Sequence, residues 1–513
     1  MLARILSATI QGVEAIPLVV ECDLAPGLPQ IHTVGLPDAA VRESAERVRA
    51  ALRNAGHRLP PRRITINLAP ADLRKQGSGL DLPIALGILA ALGVVPGTLL
   101  DRMLVLGELA LDGRLRAVPG ALPAAILARR RGMDGVVVPA GNRDEVLALP
   151  GSGVLAVATL QEAIEALRGE RLPEIAAAPR FWAAGVPPAG DLAEVRGQRH
   201  ARRALEIAAA GGHHLLLAGP PGCGKTMLAR RLPGILPPLE LDEAIDVTCI
   251  YSASGLLDGS GLRREPPFRA PHHTISGIGL VGGGRMPRAG EATLAHNGVL
   301  FLDEMAEFGR ATLDVLRQPL EDGAVVINRA QRAIRLPCRF LLVGAMNPCP
   351  CGQLGRGDRP CACTPAMVAA YRGRVSGPLL DRFEVQVEVA ALGARDLRGA
   401  PAGEPSAVVA ERVARARRRQ RERSAAGGGA AVLNGSLPPE ALGRQARPDA
   451  AALRLLAAAV RRLGLSARAH DGILRVARTI ADLEGAGEPS AAHVAEAVQY
   501  RALERSPGAR EER

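Results

Sequence analysis

The sequence predicts an α/β core built on a phosphate-binding loop, followed by an α-helical lid and preceded by an α+β unit. Three observations carry this. An apolar run, His213-His214-Leu215-Leu216-Leu217-Ala218, breaks into Gly219-Pro220-Pro221-Gly222-Cys223-Gly224-Lys225-Thr226, and Met227 to Leu232 then reads as helix. Downstream, Gly298-Val299-Leu300-Phe301-Leu302 and Phe340-Leu341-Leu342-Val343-Gly344-Ala345-Met346 are buried-strand runs that each end in polar side chains. From about residue 393 the patterning is helical, with Ala451 to Leu463, Ile473 to Leu483 and a last helix starting at Pro489-Ser490-Ala491.

At 513 residues the chain exceeds what one hydrophobic core supports. The expected division is an α+β unit over 1–175, a linker over 176–192, the nucleotide core over 193–392 and the lid over 393–513. The linker is marked by four prolines between residues 173 and 190, Pro187-Pro188 included. A composition of 47% hydrophobic and 23% charged residues is that of an ordinary globular protein. The net charge of +12 lends weak support to a polyanionic partner, because Arg-rich usage also follows coding bias. Met1 to Val20 carries Gln11 and Glu14 among its apolar residues and no small-residue cleavage site, so a secretory signal is not expected. The longest apolar run, Ile84 to Val95, has twelve residues between two prolines, too few to span a bilayer, and no membrane partner is expected. Eight cysteines, four of them within fifteen residues, suit a reducing compartment, and the expected location is cytoplasmic.

In the first unit Ile64-Thr65-Ile66-Asn67-Leu68 predicts a strand and Asp81 to Leu92 a buried helix. Leu104 to Val118 predicts a hairpin turning at Asp112-Gly113 in a type I′ turn. Val136-Val137-Val138-Pro139 predicts a further strand and Arg143 to Leu149 a helix start. Gly107-Glu108-Leu109, Gly113-Arg114-Leu115, Val118-Pro119-Gly120 and Gly135-Val136-Val137-Val138-Pro139 resemble the Lon protease proteolytic domain, whose fold is related to ribosomal protein S5 domain 2. That family uses a Ser-Lys pair, and here the pattern departs from it. The nucleophile's place falls near Asp81 and the lysine's near Leu122. Ser78 and Lys75 are the local candidates, but they lie three residues apart on one turn, whereas a base must be presented to its nucleophile across the fold. The expectation is a scaffold without peptidase chemistry.

In the core, Gly219 and Gly224 hold the fixed ends of G-x-x-x-x-G-K-T, where backbone amides face phosphate oxygens and a Cβ would intrude. Lys225 is expected to reach the β/γ-phosphates of ATP and Thr226 to offer its hydroxyl to Mg²⁺. Of 64 basic residues only Lys75 and Lys225 are lysines, so a Lys at this position is not compositional background. Asp303 ends the next apolar run, 78 positions after Lys225, and is expected to hold Mg²⁺ through water while Glu304 polarises the attacking water. Asn347 fits a sensor that orients the same water; on its own it reads as a capping Asn. Arg382, in Leu379-Leu380-Asp381-Arg382-Phe383, and Arg468, in Ser466-Ala467-Arg468, are candidates for charge stabilisation on the γ-phosphate. Without their motifs, either reads as a surface ion pair in so Arg-rich a chain.

Together these residues resemble an AAA+ ATPase of the magnesium-chelatase-like and MCM-like branch. Phe268-Arg269-Ala270-Pro271-His272-His273-Thr274 and Leu280-Val281-Gly282-Gly283-Gly284 are similar to that branch's insert before Walker B, and Val325 to Pro337 is similar to its hairpin before the first sensor. Within the branch, nearly the whole chain resembles the YifB/ComM family. The resemblance implies a hexameric, ATP-driven branch-migration helicase acting on single-stranded or branched DNA as DNA is integrated in natural transformation. It implies Arg382 as a finger on a neighbour's ATP, which demands a homo-oligomer. Arg329, Arg332 and Arg335 of the hairpin would then face a central channel and meet phosphates there.

Three features lie outside that scheme. Adjacent residues such as His272-His273 would point apart on a strand and lack the i, i+4 spacing of a helix, so a loop role near a pore is expected rather than a metal site. Two C-x-C hooks, Cys349-Pro350-Cys351 and Cys361-Ala362-Cys363, can close a tetrahedral thiolate site for Zn²⁺, four reduced structural cysteines being the alternative. Glu411 to Arg423, with seven Arg against two Glu, predicts first a solvated face of the lid and second a phosphate-contacting face.

The leading functional reading is therefore an ATP-driven DNA motor. A chelatase-type ATPase that remodels a metal-inserting partner is the alternative, and an ATP-dependent protease is the third. The Lon-like segment and the cysteine insert argue against the chelatase, and the missing Ser-Lys pattern against the protease. DNA as the substrate rests on the resemblance and slightly on charge; with 2% aromatics no base-stacking platform is visible.

Overall fold

The computed structural model describes residues 1–75, 77–170, 173–182, 190–257, 261–284, 287–328, 333–355, 360–391, 403–426 and 432–501. The hairpin arginines Arg329 and Arg332, the Pro187-Pro188 part of the linker and the glycine run after Arg423 lie outside these residues. Among the described residues no helix is long and apolar enough to cross a membrane.

At the N-terminus, β1 (Leu2–Gln11) and β2 (Glu14–Ala25) pair antiparallel across a two-residue turn. With β3 (Gln30–Val34) and the predicted strand, β4 (Arg63–Ala69), they form a sheet of order β1-β2-β4-β3. Buried side chains alternate along β2 and β4, as in a sheet covered on one face. The cover is α2 (Asp81–Ala91), flanked by α1 (Ala39–Asn54); the apolar residues of α2 point all round and it is accordingly buried. A second sheet, of order β10-β9-β8-β5, is formed by β5 (Met103–Val105), β8 (Gly135–Pro139), β9 (Gly153–Val157) and β10 (Glu174–Ile175), with α3 (Ala121–Arg130) packed against it.

The predicted hairpin is shorter than its pattern. Only β6 (Glu108–Leu109) and β7 (Leu115–Arg116) pair; Leu104 and Val105 instead run parallel to β8. Its turn is not type I′, which needs two residues of positive φ. Gly113 alone is left-handed (φ 87°), and the loop is closed by Gly113 N–H to Ala110 C=O at 3.0 Å and Ala110 N–H to Arg114 C=O at 2.9 Å.

Asp81, in the nucleophile's expected place, is fully buried. It accepts from Ser44 Oγ, from Arg47 Nε at 2.7 Å and Nη2 at 3.0 Å, and from Leu109 N–H at 3.2 Å. Ser78 donates to Glu108 and Lys75 to the Pro70 carbonyl, so each is engaged away from the other.

The nucleotide core is a five-stranded, all-parallel sheet. Its helices and strands are α4 (Arg199–Gly211), β11 (Leu215–Ala218), α5 (Lys225–Arg231), α6 (Leu241–Ala253), β12 (Phe268–Arg269), β13 (Val299–Leu302), β16 (Leu341–Met346), α7 (Pro365–Arg372) and β17 (Val385–Glu388). The strand order is β12-β13-β16-β11-β17. The three middle strands are buried along their whole length, which is why they read as unbroken apolar runs. Between β13 and β16 the hairpin of β14 (Ala324–Asn328) and β15 (Ala333–Pro337) pairs antiparallel as expected. Within the segment read as linker, Phe181–Trp182 pairs parallel with Leu262–Arg263.

The N-terminal unit packs directly on this core. Leu122, Ala148 and Leu149 share one apolar cluster with Val247, Ile250 and Tyr251 of α6. Ser252 donates to Glu145, whose pKa burial raises, and accepts from Gly120 N–H at 3.0 Å. Gly12, in the β1–β2 turn, lies where a Cβ would meet Ile334 and Leu336 of β15 at 2.8 Å.

The lid comprises α8 (Ser406–Ala426), α9 (Ala450–Leu463), α10 (Ala467–Glu484) and α11 (Ala491–Gln499). The arginine run on α8 is solvated only in part: Arg415 and Arg418 are exposed, while other arginines of the run reach across helix interfaces. Arg412 pairs with Glu206 at 2.5 Å, Arg417 donates to the Ala209 carbonyl at 2.7 Å, Arg419 donates to the Asp482 carbonyl at 2.5 Å and Arg423 pairs with Asp482 at 2.8 Å. Burial lowers Arg417 to about 10. Periodicity misses this because a guanidinium can lay its stem along an apolar face and still reach carbonyl ends across a helix interface.

Asp482 is the hub of the lid, accepting from Arg423, from Arg478 at 2.8 Å and from Asn434 at 2.8 Å. Burial alone would raise its pKa, but these donors outweigh it and hold the carboxyl below the ordinary range. Its stabilising contribution is therefore complete above the usual carboxylate pKa of about 4 and fades as pH falls through the lowered value. Asp482→Ala leaves two guanidinium groups without their partner and is expected to cost about 3–5 kcal/mol, read as a lowered denaturation midpoint. A variant as stable as wild type between pH 5 and pH 8, tested to about half a kcal/mol, would make the network energetically idle.

Candidate active site

Strand register assembles the site. Ala218 sits beside Met346 and Leu302 beside Gly344, so the residues that follow these strands, Gly219, Asp303 and Asn347, leave the sheet at one end. The loop from Gly219 to Gly224 then turns into α5, with Gly222 (φ 77°) and Gly224 (φ 94°) in the left-handed region that side chains avoid. Gly219 has no room for a Cβ, which would enter the Val389 carbonyl and approach Cys223 Sγ to 2.9 Å. Lys225 opens the helix, buried, with its ammonium donating to the Gly219 carbonyl at 2.6 Å, the Pro220 carbonyl at 2.9 Å and Asn347 Oδ1 at 3.2 Å. Burial pulls its pKa below the ordinary value, against the opposing pull of Cys223 and Asp303.

Thr226 Oγ1 donates to Asp303 Oδ2 at 2.7 Å, a hydroxyl and a carboxylate side by side, the hard-oxygen pair that suits Mg²⁺. Asp303 Oδ1 accepts from the Glu304 N–H at 3.0 Å. Glu304 has φ 50°, an uncommon conformation for a residue with a side chain, and its carboxylate is 60% exposed at the mouth of the site. Lys225, Thr226, Asp303, Glu304 and Asn347 are thus brought together.

Arg382 and Arg468 are not. Arg382 precedes β17, whose register with β11 puts it beyond the opposite end of the sheet, more than about 10 Å from the loop at 3.3 Å per residue. There it ion-pairs with Glu321, and Arg468 Nη2 lies 3.5 Å from the same Glu321 carboxylate. Burial and the neighbouring charges of Arg468 and Arg317 lower the Arg382 pKa. A cleft of about 450 Å³ opens on this face, lined by Val281, Val315, Arg317 and Glu321 among others.

The His pair lies in the loop after β12. His272 and His273 lie outside any strand with ring centroids 4.1 Å apart, rather than pointing away from each other. The His273 ring meets Phe308 edge-on, and its Nδ1 is 3.9 Å from Glu304 Oε2. Three further residues had no sequence signal. Glu321 collects the two arginines; Gln198, left-handed at φ 46°, donates to the Ala390 carbonyl at 2.7 Å beside the loop; and His213 joins core to lid through Glu384 and, at 2.7 Å, Thr479. Their partners lie more than about sixty positions away, beyond the reach of local pattern.

Cys349, Cys351, Cys361 and Cys363 bring four sulfurs within 4.8 Å of one another. Three of the separations are 3.5, 3.6 and 3.7 Å. A zinc–sulfur bond of about 2.3 Å in a tetrahedron requires sulfur–sulfur edges of about 3.8 Å, so the donor set fits Zn²⁺.

Three family models match the chain: subunit ChlI of Mg-chelatase over residues 20–142, magnesium chelatase subunit ChlI over 191–397, and magnesium chelatase subunit ChlI C-terminal over 403–501. The chain is 43% identical to the uncharacterized protein YifB of Escherichia coli over 96% of each chain, and 43% identical to competence protein ComM of Haemophilus influenzae over 98% of each. Its similarity to the magnesium-chelatase 38 kDa subunit of Rhodobacter capsulatus is 27% and covers 43% of this chain and 61% of that one.

Two substitutions separate the roles this geometry assigns. Lys225→Ala is expected to abolish ATP binding, measured by titration with a fluorescent analogue. Glu304→Gln is expected to bind ATP normally while hydrolysis falls by a factor of about 100 or more. Wild-type turnover in Glu304→Gln would remove Glu304 from the reaction.

Proposed function

The chain belongs to the YifB/ComM family of magnesium chelatase-like AAA+ proteins, and from that premise we propose that it is an ATP-driven motor. It works in the cytoplasm as a homo-oligomeric ring, a hexamer, on single-stranded or branched DNA, promoting branch migration during natural transformation and recombination. The observation that carries this reading is the division of the site: the phosphate loop, Asp303, Glu304 and Asn347 at one end of the sheet, the two arginines at the other. A ring of like copies brings an arginine face of one chain to the phosphate loop of the next.

When bound, ATP supplies the phosphoanhydride and Mg²⁺ neutralises its oxygens. Lys225 transfers its hydrogen bonds from Gly219, Pro220 and Asn347 to phosphate oxygens, which frees Asn347 Oδ1 to orient water. Thr226 and Asp303 would hold the cation. Glu304 accepts a proton from the attacking water, and His273 lies close enough to steady its carboxylate. Arg382 and Arg468 leave Glu321 for the neighbour's γ-phosphate, whose charge replaces that of the carboxylate. The four cysteines would hold Zn²⁺ as a structural ion.

DNA as the substrate is supported by the near-complete coverage of a competence protein and by the net charge of +12, with Arg335 exposed on β15. The chelatase alternative draws support from the descriptions of the matching family models, which include residues 20–142. The N-terminal segment therefore does not separate the two readings. Coverage favours the motor, since the 38 kDa chelatase subunit matches under half of this chain.

Mixing Lys225→Ala with Arg382→Ala, each inactive alone, is expected to restore part of the hydrolysis, because a mixed ring contains interfaces with an intact loop facing an intact arginine. Strand exchange on a synthetic four-way junction is expected to require ATP and to fall steeply with salt. A ring that hydrolyses ATP without DNA stimulation and leaves junctions untouched would favour the chelatase reading.

A further inference from the structure

The cysteine cluster is built against the phosphate loop. Cys349 follows Asn347 by two residues, and the turn after it is closed by Gly352 N–H to the Cys349 carbonyl at 3.0 Å and by Leu354 N–H to Cys349 Sγ at 3.4 Å. This turn presses Gly352, left-handed at φ 74°, onto Pro221 of the loop. A Cβ there would lie 2.5 Å from Pro221 Cδ and 2.7 Å from its Cγ. On the other side, α7 begins just after Cys363, capped by Thr364, and returns Arg372, whose Nε donates to the Pro348 carbonyl at 3.2 Å. The segment from Pro348 to Gly352 is thus held between α7, the sulfurs and the loop. Its first residues continue from Asn347, which accepts from Lys225.

We propose that the zinc-bound cysteine cluster is a strut that sets the position of the phosphate loop and of Asn347, so that nucleotide affinity depends on the metal. This rests on the zinc reading above. Two C-x-C hooks on a glycine-rich segment have many conformations, and four bonds to one ion leave them one. That single conformation puts Gly352 behind Pro221 and fixes where the Lys225 acceptors lie. Without the ion the turn relaxes, and the loop loses its backing although none of its own residues has changed. Gly352 is a positioning residue in this scheme, since it touches Pro221 and not the nucleotide.

The test uses the full chain and reads metal content, nucleotide affinity and thermal unfolding separately. Wild type is expected to carry about one zinc per chain by elemental analysis. Gly352→Ala is expected to keep its zinc while its affinity for a fluorescent ATP analogue falls roughly tenfold, because the added methyl displaces Pro221. Cys361→Ser with Cys363→Ser, in the hook remote from Asn347, is expected to lose both zinc and affinity. A zinc-selective chelator applied to folded wild type is expected to weaken binding, and added Zn²⁺ to restore it, which covers the case of a variant that fails to fold. Zinc present, with unchanged affinity in Gly352→Ala and after chelation, overturns the strut and leaves the zinc and ATP readings standing. Wild type without zinc overturns the metal reading and the strut with it. Wild type with zinc that binds no nucleotide overturns the ATPase reading instead.

Discussion

The ammonium of Lys225 is buried among the carbonyls of Gly219 and Pro220 and the side-chain oxygen of Asn347, and the nucleotide core is arranged so that these acceptors meet there. A charge taken out of water is costly unless several dipoles replace the lost hydration. Here they come from the ends of two strands that neighbour each other in space but lie more than a hundred residues apart in sequence. A slip of one residue between β11 and β16 would turn Asn347 away and leave the charge short of an acceptor. Register, glycine conformations and the packing of Gly352 on Pro221 are all conditions for keeping one buried cation satisfied.

The opposite end of the sheet is also polar, but it serves the lid. His213 reaches Glu384 and Thr479, Arg475 adds a contact to Glu384 at 3.4 Å, and His214 accepts from Leu342 N–H at 3.0 Å. Burial holds His214 near 4, so it is neutral around pH 7 and able to accept. Burial alone would raise Glu384, yet the charge and hydrogen bond of His213, with Arg475, hold it below its ordinary value. Arg468, Arg475, Thr479 and Asp482 all lie on α10, so one rigid helix carries the lid's hub, its joint to the core and one of the two arginines paired with Glu321. A shift of α10 therefore bears on all three together.

The N-terminal unit bears on the core through direct contact. The carboxylate of Asp81 is saturated by donors, while Glu145 and Gly120 grip Ser252 at the end of α6 and Gly12 abuts the base of the β14–β15 hairpin. The unit thereby touches two elements of the core, a helix leading away from the loop region and the hairpin that carries Arg335.

The sequence by itself determined the strands and the cradle. A parallel strand buried on both faces must be apolar throughout, a phosphate loop must have glycine at set positions, and both demands are written locally, from Leu215 through Thr226 and again before Asp303 and Asn347. The cysteine hooks were legible for the same reason, their sulfurs being few and close in sequence. Tertiary structure alone decided which side chains share a partner. Glu321 between Arg382 and Arg468, Gly352 behind Pro221, Arg412 and Arg423 of α8 turned inward to Glu206 and Asp482, and His273 turned toward Glu304 all depend on distances between segments. Hydrophobic period records which face of an element is buried, whereas an ion pair or a close glycine contact depends on where two separate elements end, and the chain carries no local record of that.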